Sequence, residues 1–272
     1  GVVSKRLYMQ LYLSQSNKEY YTMLQFFGRI IPTVSIILML TFVTTSTARA
    51  QNIHLWLLFD ASGSMYSKKD TPSLSKKGHY ISQLNGHVEA LKNPNVRRLL
   101  LNGKTFLHAV IWAGENTAYE ISPKGGVAID SDKTIDAFIN LIIKGIPNRT
   151  LNDATTRHHL AIDFVLKQSN IAHSNDITII DISTDEDPYG EDALKMKEIH
   201  TKAIGYNVVI NVLAVDILKS QEEYRQLATR VRTPDGFIMT GSFENYAEAI
   251  LSKILMELQF SNIISTQTIE PG

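Results

Sequence analysis

The sequence contains no cysteine, which excludes disulfide bonds, thiolate metal sites and a cysteine nucleophile. It also lacks an excess of charge, because 27 lysines and arginines balance 27 aspartates and glutamates. A neutral chain offers no electrostatic argument for binding nucleic acid or an anionic membrane surface. Neither glycine-rich phosphate-binding pattern, G-x-G-x-x-G or G-x-x-x-x-G-K-[ST], follows an apolar run. These absences argue against a nucleotide-binding or nucleic-acid-binding protein.

The remaining composition is ordinary for a globular protein. The chain has 272 residues, of which 44% are hydrophobic and 20% charged. That length suits one large α/β domain plus an export segment, or two small domains. No internal repeat or low-complexity stretch divides the chain.

Residues 23–50 have the organisation of a signal peptide. Arg29 precedes an apolar run over residues 30–43, and a small-x-small pattern at residues 48–50 predicts cleavage before Gln51. The run is shorter than the roughly 20 residues of a spanning helix, but an uncleaved membrane anchor or a buried helix stays open. We therefore expect a periplasmic or secreted protein. Residues 1–22 are unassigned, residues 51–261 form the predicted domain, and residues 262–272 form a tail.

From residue 51 onward, apolar runs rich in β-branched residues alternate with stretches of helical periodicity. This alternation predicts an α/β fold with a doubly wound, mostly parallel sheet flanked by helices on both faces. We expect about six strands, one of them a short antiparallel edge strand at residues 118–122. The other predicted strands are residues 53–59, 105–112, 177–182, 208–215 and 237–240. The predicted helices are residues 80–101, 131–143, 156–168, 191–204, 221–231 and 243–258.

Oxygen-bearing side chains follow the predicted strands. Asp60, Ser62 and Ser64 come directly after the first strand, Asp185 follows the central strand, and Thr156 begins a middle helix. Ligands of open α/β sheets lie beyond the carboxyl ends of the strands. Hard oxygen donors favour Mg²⁺, Mn²⁺ or Ca²⁺ over zinc. Taken alone, residues 60–64 are better explained as a strand-to-helix turn with capping side chains, and the metal site is favoured only with Thr156 and Asp185 in the right order.

The order of these residues resembles the metal-ion-dependent adhesion site (MIDAS) of von Willebrand factor type A (VWA) domains. Asp60, Ser62 and Ser64 match D-x-S-x-S, Thr156 resembles the later threonine, and Asp185 resembles the final aspartate. The resemblance covers roughly residues 52–260 and implies a VWA or Rossmann-like fold.

A closer resemblance is to a bacterial, exported VWA-like family of unknown function. The shared segments are Pro-Asn-Val at residues 94–96, Val-Ile-Trp-Ala-Gly at 110–114, Asp-Ile-Ser-Thr-Asp at 181–185 and the ending at 243–250. Each segment is weak by itself, but their order together is specific.

The resemblance implies that the five matched side chains hold a divalent metal, magnesium first and manganese or calcium as alternatives. Asp60 and Asp185 would act directly or through water, and an open metal position would accept a carboxylate from a protein ligand. The implied role is protein binding rather than catalysis. Glu186 and Asp187 replace the usual glycine turn, and they would either tighten metal binding or fill the open position. His158 and His159 are predicted on the helix surface, with the rim of the site as the alternative.

Two other functions stay open on the sequence. The run LLFDASGS superficially resembles the entry of haloacid-dehalogenase-like phosphohydrolases, but Ser62 stands where those enzymes need a second aspartate. Hydrolysis assisted by a bound metal is a related possibility. The other function is a structural subunit of an envelope complex with an inactive metal site.

Overall fold

The structure is a computed structural model of the chain, and it describes residues 51–66, 79–114, 118–146, 155–168, 171, 174–217 and 221–267. The chain divides into two units, residues 1–45 and 46–272, and every described residue belongs to the second. The predictions for residues 1–22 and 23–50 therefore lie outside the described residues.

The described residues contain one mixed sheet of seven strands. The spatial order is β3-β2-β1-β5-β6-β7, and β4 also pairs with β2. Strands β2, β1, β5, β6 and β7 run parallel, while the two short strands β3 and β4 are antiparallel to β2. The strands are β1 Ile53–Asp60, β2 Thr105–Trp112, β3 Tyr119–Glu120, β4 Val127–Ala128, β5 Ile177–Thr184, β6 Val209–Val215 and β7 Ile238–Gly241.

Helices cover both faces of the sheet. The described helices are α1 Gly63–Tyr66, α2 Tyr80–Lys92, α3 Pro94–Asn102, α4 Asp132–Gly145, α5 His158–Leu166, α6 Gly190–Gly205, α7 Gln221–Gln226 and α8 Tyr246–Gln267. Helices α2, α3, α4 and α8 pack on one face and α5 and α6 on the other. The α/β class with a doubly wound sheet is therefore confirmed.

Strand β1 shows why the sheet is covered on both faces. All of its residues are buried. Leu57 and Phe59 belong to the core beneath α2 and α8, whereas Trp56 and Leu58 belong to the core beneath α5 and α6. A strand buried on both faces is a continuous apolar run, which is the pattern of residues 53–59.

Some elements differ from the sequence predictions. The helix predicted over residues 80–101 is two helices, because Asn93 is extended, its side chain accepts a hydrogen bond from the Asn95 N–H, and Pro94 begins α3. Strand β4 was not predicted, since two residues are too few to show alternation. Residues 227–231, predicted as α-helix, form a π-helical segment, and the last helix continues to Gln267.

The register of the parallel strands brings three carboxyl ends to one edge of the sheet. Asp60 pairs with Trp112 of β2, and Leu58 pairs with Ile182 of β5. The loops after β1, β2 and β5 are therefore neighbours. None of the described helices combines the length and apolarity that crossing a membrane requires.

Candidate metal site

Asp60 ends β1 and is held there by a glutamine from α2. The Asp60 N–H donates to Gln83 Oε1 at 3.0 Å, and Gln83 Nε2 donates to the Asp60 carbonyl at 3.0 Å. The next N–H, of Ala61, donates to the Trp112 carbonyl at 2.8 Å. Asp60 and Gln83 are almost completely buried. The chain therefore leaves the sheet in a fixed direction, with its backbone hydrogen bonds satisfied.

The turn after Asp60 directs two serine hydroxyls toward each other. The Ser62 N–H donates to Asp60 Oδ1 at 2.8 Å, and the hydroxyls of Ser62 and Ser64 lie 3.2 Å apart. An aspartate that binds the N–H two residues later is a common way to stabilise a turn. Gly63 begins the short helix α1, which places Ser64 in its first turn.

Asp185 reaches this turn from the loop after β5. The Ser64 hydroxyl donates to Asp185 Oδ1 at 3.0 Å, although 121 positions separate the two residues. Asp60, Ser62, Ser64 and Asp185 thus form one continuous hydrogen-bonded group.

Thr156 lies at the same edge of the sheet. The next residue, Arg157, donates its N–H to the carbonyl of Ala113, directly after β2, at 3.2 Å. The Thr156 side chain is buried, and its hydroxyl has no protein hydrogen-bond partner. Asp60 Oδ2 is also buried without such a partner. Because buried polar atoms are usually hydrogen-bonded, these two oxygens are available to coordinate a cation at this edge of the sheet.

The charges around the site favour a cation. Burial, and next the negative charge of Asp185, raise the pKa of Asp60 to about 7. Burial and the charge of Glu186 raise the pKa of Asp185 to about 6, although the hydrogen bond from Ser64 opposes this. Two carboxyl groups that resist ionisation together are the pair that a divalent cation would stabilise as carboxylates.

The donor set is also one that a hard cation accepts. Two carboxylates and three hydroxyls are oxygen ligands suited to Mg²⁺, Mn²⁺ or Ca²⁺. Among the described residues, no group of three or more histidines and acids is placed to hold a metal ion. A metal here would therefore depend on the hydroxyls of Ser62, Ser64 and Thr156, which complete the set. The residues present fit such an ion.

The prediction that His158 and His159 lie on the helix surface is wrong. Their exposed fractions are 0% and 7%. Their Nδ1 atoms lie 2.8 and 2.5 Å from the carboxylate oxygens of Asp192, at the start of α6. That buried carboxylate turns both imidazoles inward. Glu186 and Asp187 are partly exposed in the loop that follows Asp185.

Gln83 and Asp192 were not predicted from the sequence. Gln83 occupies a buried position of α2. A polar residue on the apolar face of the predicted helix is the signal that could have identified it from the sequence. Asp192 stands in the first turn of a helix, where an acidic residue needs no special explanation. Its link to α5 depends on the tertiary structure.

Solved structures with a similar fold include the pilus adhesin SpaC from Lactobacillus rhamnosus GG, at 12% identity and a TM-score of 0.56, over 76% of this chain and 30% of SpaC. A von Willebrand factor type A protein from Catenulispora acidiphila matches at 16% identity and a TM-score of 0.50, over 76% of this chain and 43% of that one. Proximal thread matrix protein 1 from the mussel byssus, solved with a zinc-occupied MIDAS motif, matches at 15% identity and a TM-score of 0.51, over 76% of this chain and 46% of that one.

The chain spans less than half the length of each of these three proteins, and identities this low show the fold alone. A search of curated protein sequences found no match. A family model described as "Protein of unknown function (DUF1194)" matches residues 50–262. The chain therefore belongs to the DUF1194 family of unknown function, and its fold is that of a VWA domain.

Proposed function

We propose that this protein is a metal-dependent protein-binding domain whose site consists of Asp60, Ser62, Ser64, Thr156 and Asp185. The observation that carries the proposal is the hydrogen-bonded group of Asp60, Ser62, Ser64 and Asp185, with Asp60 Oδ2 and the nearby Thr156 Oγ1 buried and unpartnered at the same edge of the sheet. The metal we propose is Mg²⁺, with Mn²⁺ or Ca²⁺ as alternatives.

The chemistry of the site supports binding. A divalent ion held there would supply positive charge to a carboxylate of the partner. Three of the five proposed ligands are neutral hydroxyls, so the two carboxylates of Asp60 and Asp185 only balance the ion's charge. The site therefore keeps an affinity for a further anionic ligand.

The similar structures support the same role. SpaC is described as a pilus adhesin, and the mussel byssus protein was solved with zinc at its MIDAS motif. We infer from the shared fold that this chain also binds a protein ligand.

We propose no catalytic role. Ser62 stands two residues after Asp60, where a haloacid-dehalogenase-like phosphohydrolase requires a second carboxyl group as general acid and base. The Ser62 N–H binds one carboxylate oxygen of Asp60, an arrangement that suits a turn and a metal ligand.

We propose that the protein is exported. The support is the signal-peptide pattern at residues 23–50, which lies outside the described residues. Mass spectrometry of the protein from its native envelope should find Gln51 at the amino terminus. Peptides from residues 30–43 in the same preparation would instead indicate an uncleaved anchor.

Affinity capture from an envelope extract tests the binding function. Immobilised protein should retain partners in Mg²⁺, lose them in EDTA and recover them when Mg²⁺ is restored. The variant Ser62→Ala/Ser64→Ala should retain none of them, whereas Ser252→Ala, on the exposed side of α8, should behave as the wild type. A partner set unaffected by both EDTA and the double variant would overturn metal-dependent binding.

A further inference from the structure

The buried carboxylate of Asp192, at the start of α6, accepts hydrogen bonds from the first two residues of α5. Asp192 Oδ2 accepts from the His158 N–H at 3.3 Å, and Oδ1 accepts from the His159 N–H at 3.0 Å. The two imidazole Nδ1 atoms also contact it, at 2.8 and 2.5 Å. A carboxylate only accepts hydrogen bonds, so both Nδ1 atoms carry protons. Asp192 itself is 1% exposed.

Helix α5 depends on this carboxylate because it has no cap of its own. Arg157, at its N-cap position, makes no capping hydrogen bond with its side chain. The first N–H groups of a helix lack partners within the helix, and an anion near them is stabilising. Asp192 supplies the cap from a different helix, and Thr156 lies only two residues before the capped N–H groups.

The same group of side chains extends to the loop that carries Asp185. His158 Nε2 lies 3.1 Å from the Thr184 hydroxyl oxygen. That hydroxyl donates to the Glu186 carbonyl at 3.0 Å and accepts from the Glu186 N–H at 3.2 Å. The Thr184 hydroxyl thus stabilises the turn that contains Asp185, and the His158 imidazole contacts that hydroxyl oxygen.

We propose that Asp192 and His158 are positioning residues of the metal site. They fix the backbone segments that carry Thr156 and Asp185 without binding the metal themselves. This inference rests on the proposed metal-binding function. Neither side chain belongs to the proposed ligand set. Their contacts connect the segment before α5, which carries Thr156, with the loop after β5, which carries Asp185, and both must meet the turn at Asp60. Side chains that orient metal ligands in this way typically change metal affinity 10–100-fold when they are removed.

A purely structural role would give a different result. If Asp192 only capped α5, its loss would lower the melting temperature without a specific effect on metal affinity. Ile199, buried on α6 in the same core, provides a control for general destabilisation. His159 provides a closer control, because it binds Asp192 but makes no hydrogen bond to the Thr184 turn among the described residues.

The test is a calorimetric titration of the folded domain with Mn²⁺ alone, combined with melting temperatures of the metal-free proteins. Asp192→Asn and His158→Ala should weaken Mn²⁺ binding by about 10-fold or more. His159→Ala should weaken binding less than His158→Ala does. Ile199→Ala should lower the melting temperature and leave the dissociation constant unchanged. If Asp192→Asn does not fold, the difference in Mn²⁺ affinity between His158→Ala and His159→Ala still tests the positioning role.

The outcomes separate the two proposals. If Ser62→Ala/Ser64→Ala loses Mn²⁺ while Asp192→Asn and His158→Ala bind it like the wild type, the positioning role is overturned and the metal site stands. An equal loss of affinity in His158→Ala and His159→Ala would also overturn the role assigned to the Thr184 contact. A wild-type protein that binds no Mn²⁺ would overturn both proposals.

Discussion

The carboxylate of Asp60 is buried at the edge of the sheet with only one of its two oxygens hydrogen-bonded to the protein. One of its oxygens accepts the Ser62 N–H, and the other is buried with no protein partner. An unpaired buried oxygen costs free energy, and an unpaired buried charge costs more. Without a cation, Asp60 reduces this cost by holding its proton to a higher pH than usual, as its pKa of about 7 indicates.

Metal affinity should therefore fall as the pH is lowered. The pKa values of Asp60 and Asp185 are about 7 and about 6, and a cation binds the ionised forms. The carboxylates are mostly ionised at pH 8 and mostly protonated at pH 5, so we expect Mn²⁺ binding to be at least about tenfold weaker at pH 5. Calorimetric titration across this range, with circular dichroism to show that the protein stays folded, measures the effect. An affinity that is constant from pH 8 to pH 5 would contradict it.

Gln83 should be important for stability. In Gln83→Leu, the buried N–H and carbonyl of Asp60 would both lose their partner. Each unsatisfied buried group costs about 1–3 kcal/mol, so the loss of two partners should lower the free energy of unfolding by about 2–6 kcal/mol. Urea denaturation measures the change, with Asn85→Ala, at an exposed position of the same helix, as the control. Equal stability of the two variants would show that water replaces the glutamine.

At the scale of helices, α8 shows a limit of sequence patterns. Lys253 and Glu257 are four residues apart, a spacing typical of an ion pair on a solvated helix face. Both are fully buried. Lys253 Nζ lies 2.6 Å from Asp181 Oδ1 of β5 and 2.8 Å from Glu257 Oε1, and Asn211 of β6 donates to the same glutamate oxygen. Which face of a long helix meets the sheet is decided by packing, and the pattern alone does not reveal it.

The loss of this lysine should therefore destabilise the protein strongly. Lys253→Met would leave the carboxylate of Asp181 buried without its counter-charge, which typically costs about 3–5 kcal/mol. Lys195→Met is a matched control, because Lys195 forms an i,i+4 pair with Glu191 that is largely exposed. The free energy of unfolding in urea should fall much further for Lys253→Met than for Lys195→Met. Similar losses would mean that the buried pair contributes no more than a surface pair.

The helices and strands that could be predicted were those whose signal is local. The buried strands β1, β2 and β5 appear as apolar runs, and their bounds were predicted to within two residues. The break at Asn93 was also visible in principle, because a proline follows it. Strand β4 and the π-helical segment have no such signal, since each depends on contacts with neighbouring elements.

For the molecule as a whole, the candidate site follows from topology. Parallel strands place their carboxyl ends at one edge, so residues after β1 and β5 were expected to meet, and Ser64 does contact Asp185. The supporting residues were not predictable in the same way. Gln83 and Asp192 act through distant backbone groups, and no spacing in the sequence relates them to the residues they hold.

A metal that connects the segments after β1 and β5 and before α5 should stabilise the entire domain. A ligand that binds only the folded state stabilises it by about 2.7 kcal/mol at 100 times its dissociation constant. For a domain of this size, that corresponds to a rise in melting temperature of roughly 5–10 °C. Differential scanning calorimetry with MgCl₂, compared with NaCl at equal ionic strength, should show this rise. Ser62→Ala/Ser64→Ala should show none, because it lacks two of the proposed ligands. If MgCl₂ failed to raise the melting temperature of the wild type, the result would contradict metal binding and favour the alternative of a structural subunit with an inactive metal site. A rise in the wild type alone would exclude that alternative, since salt screening affects both proteins equally.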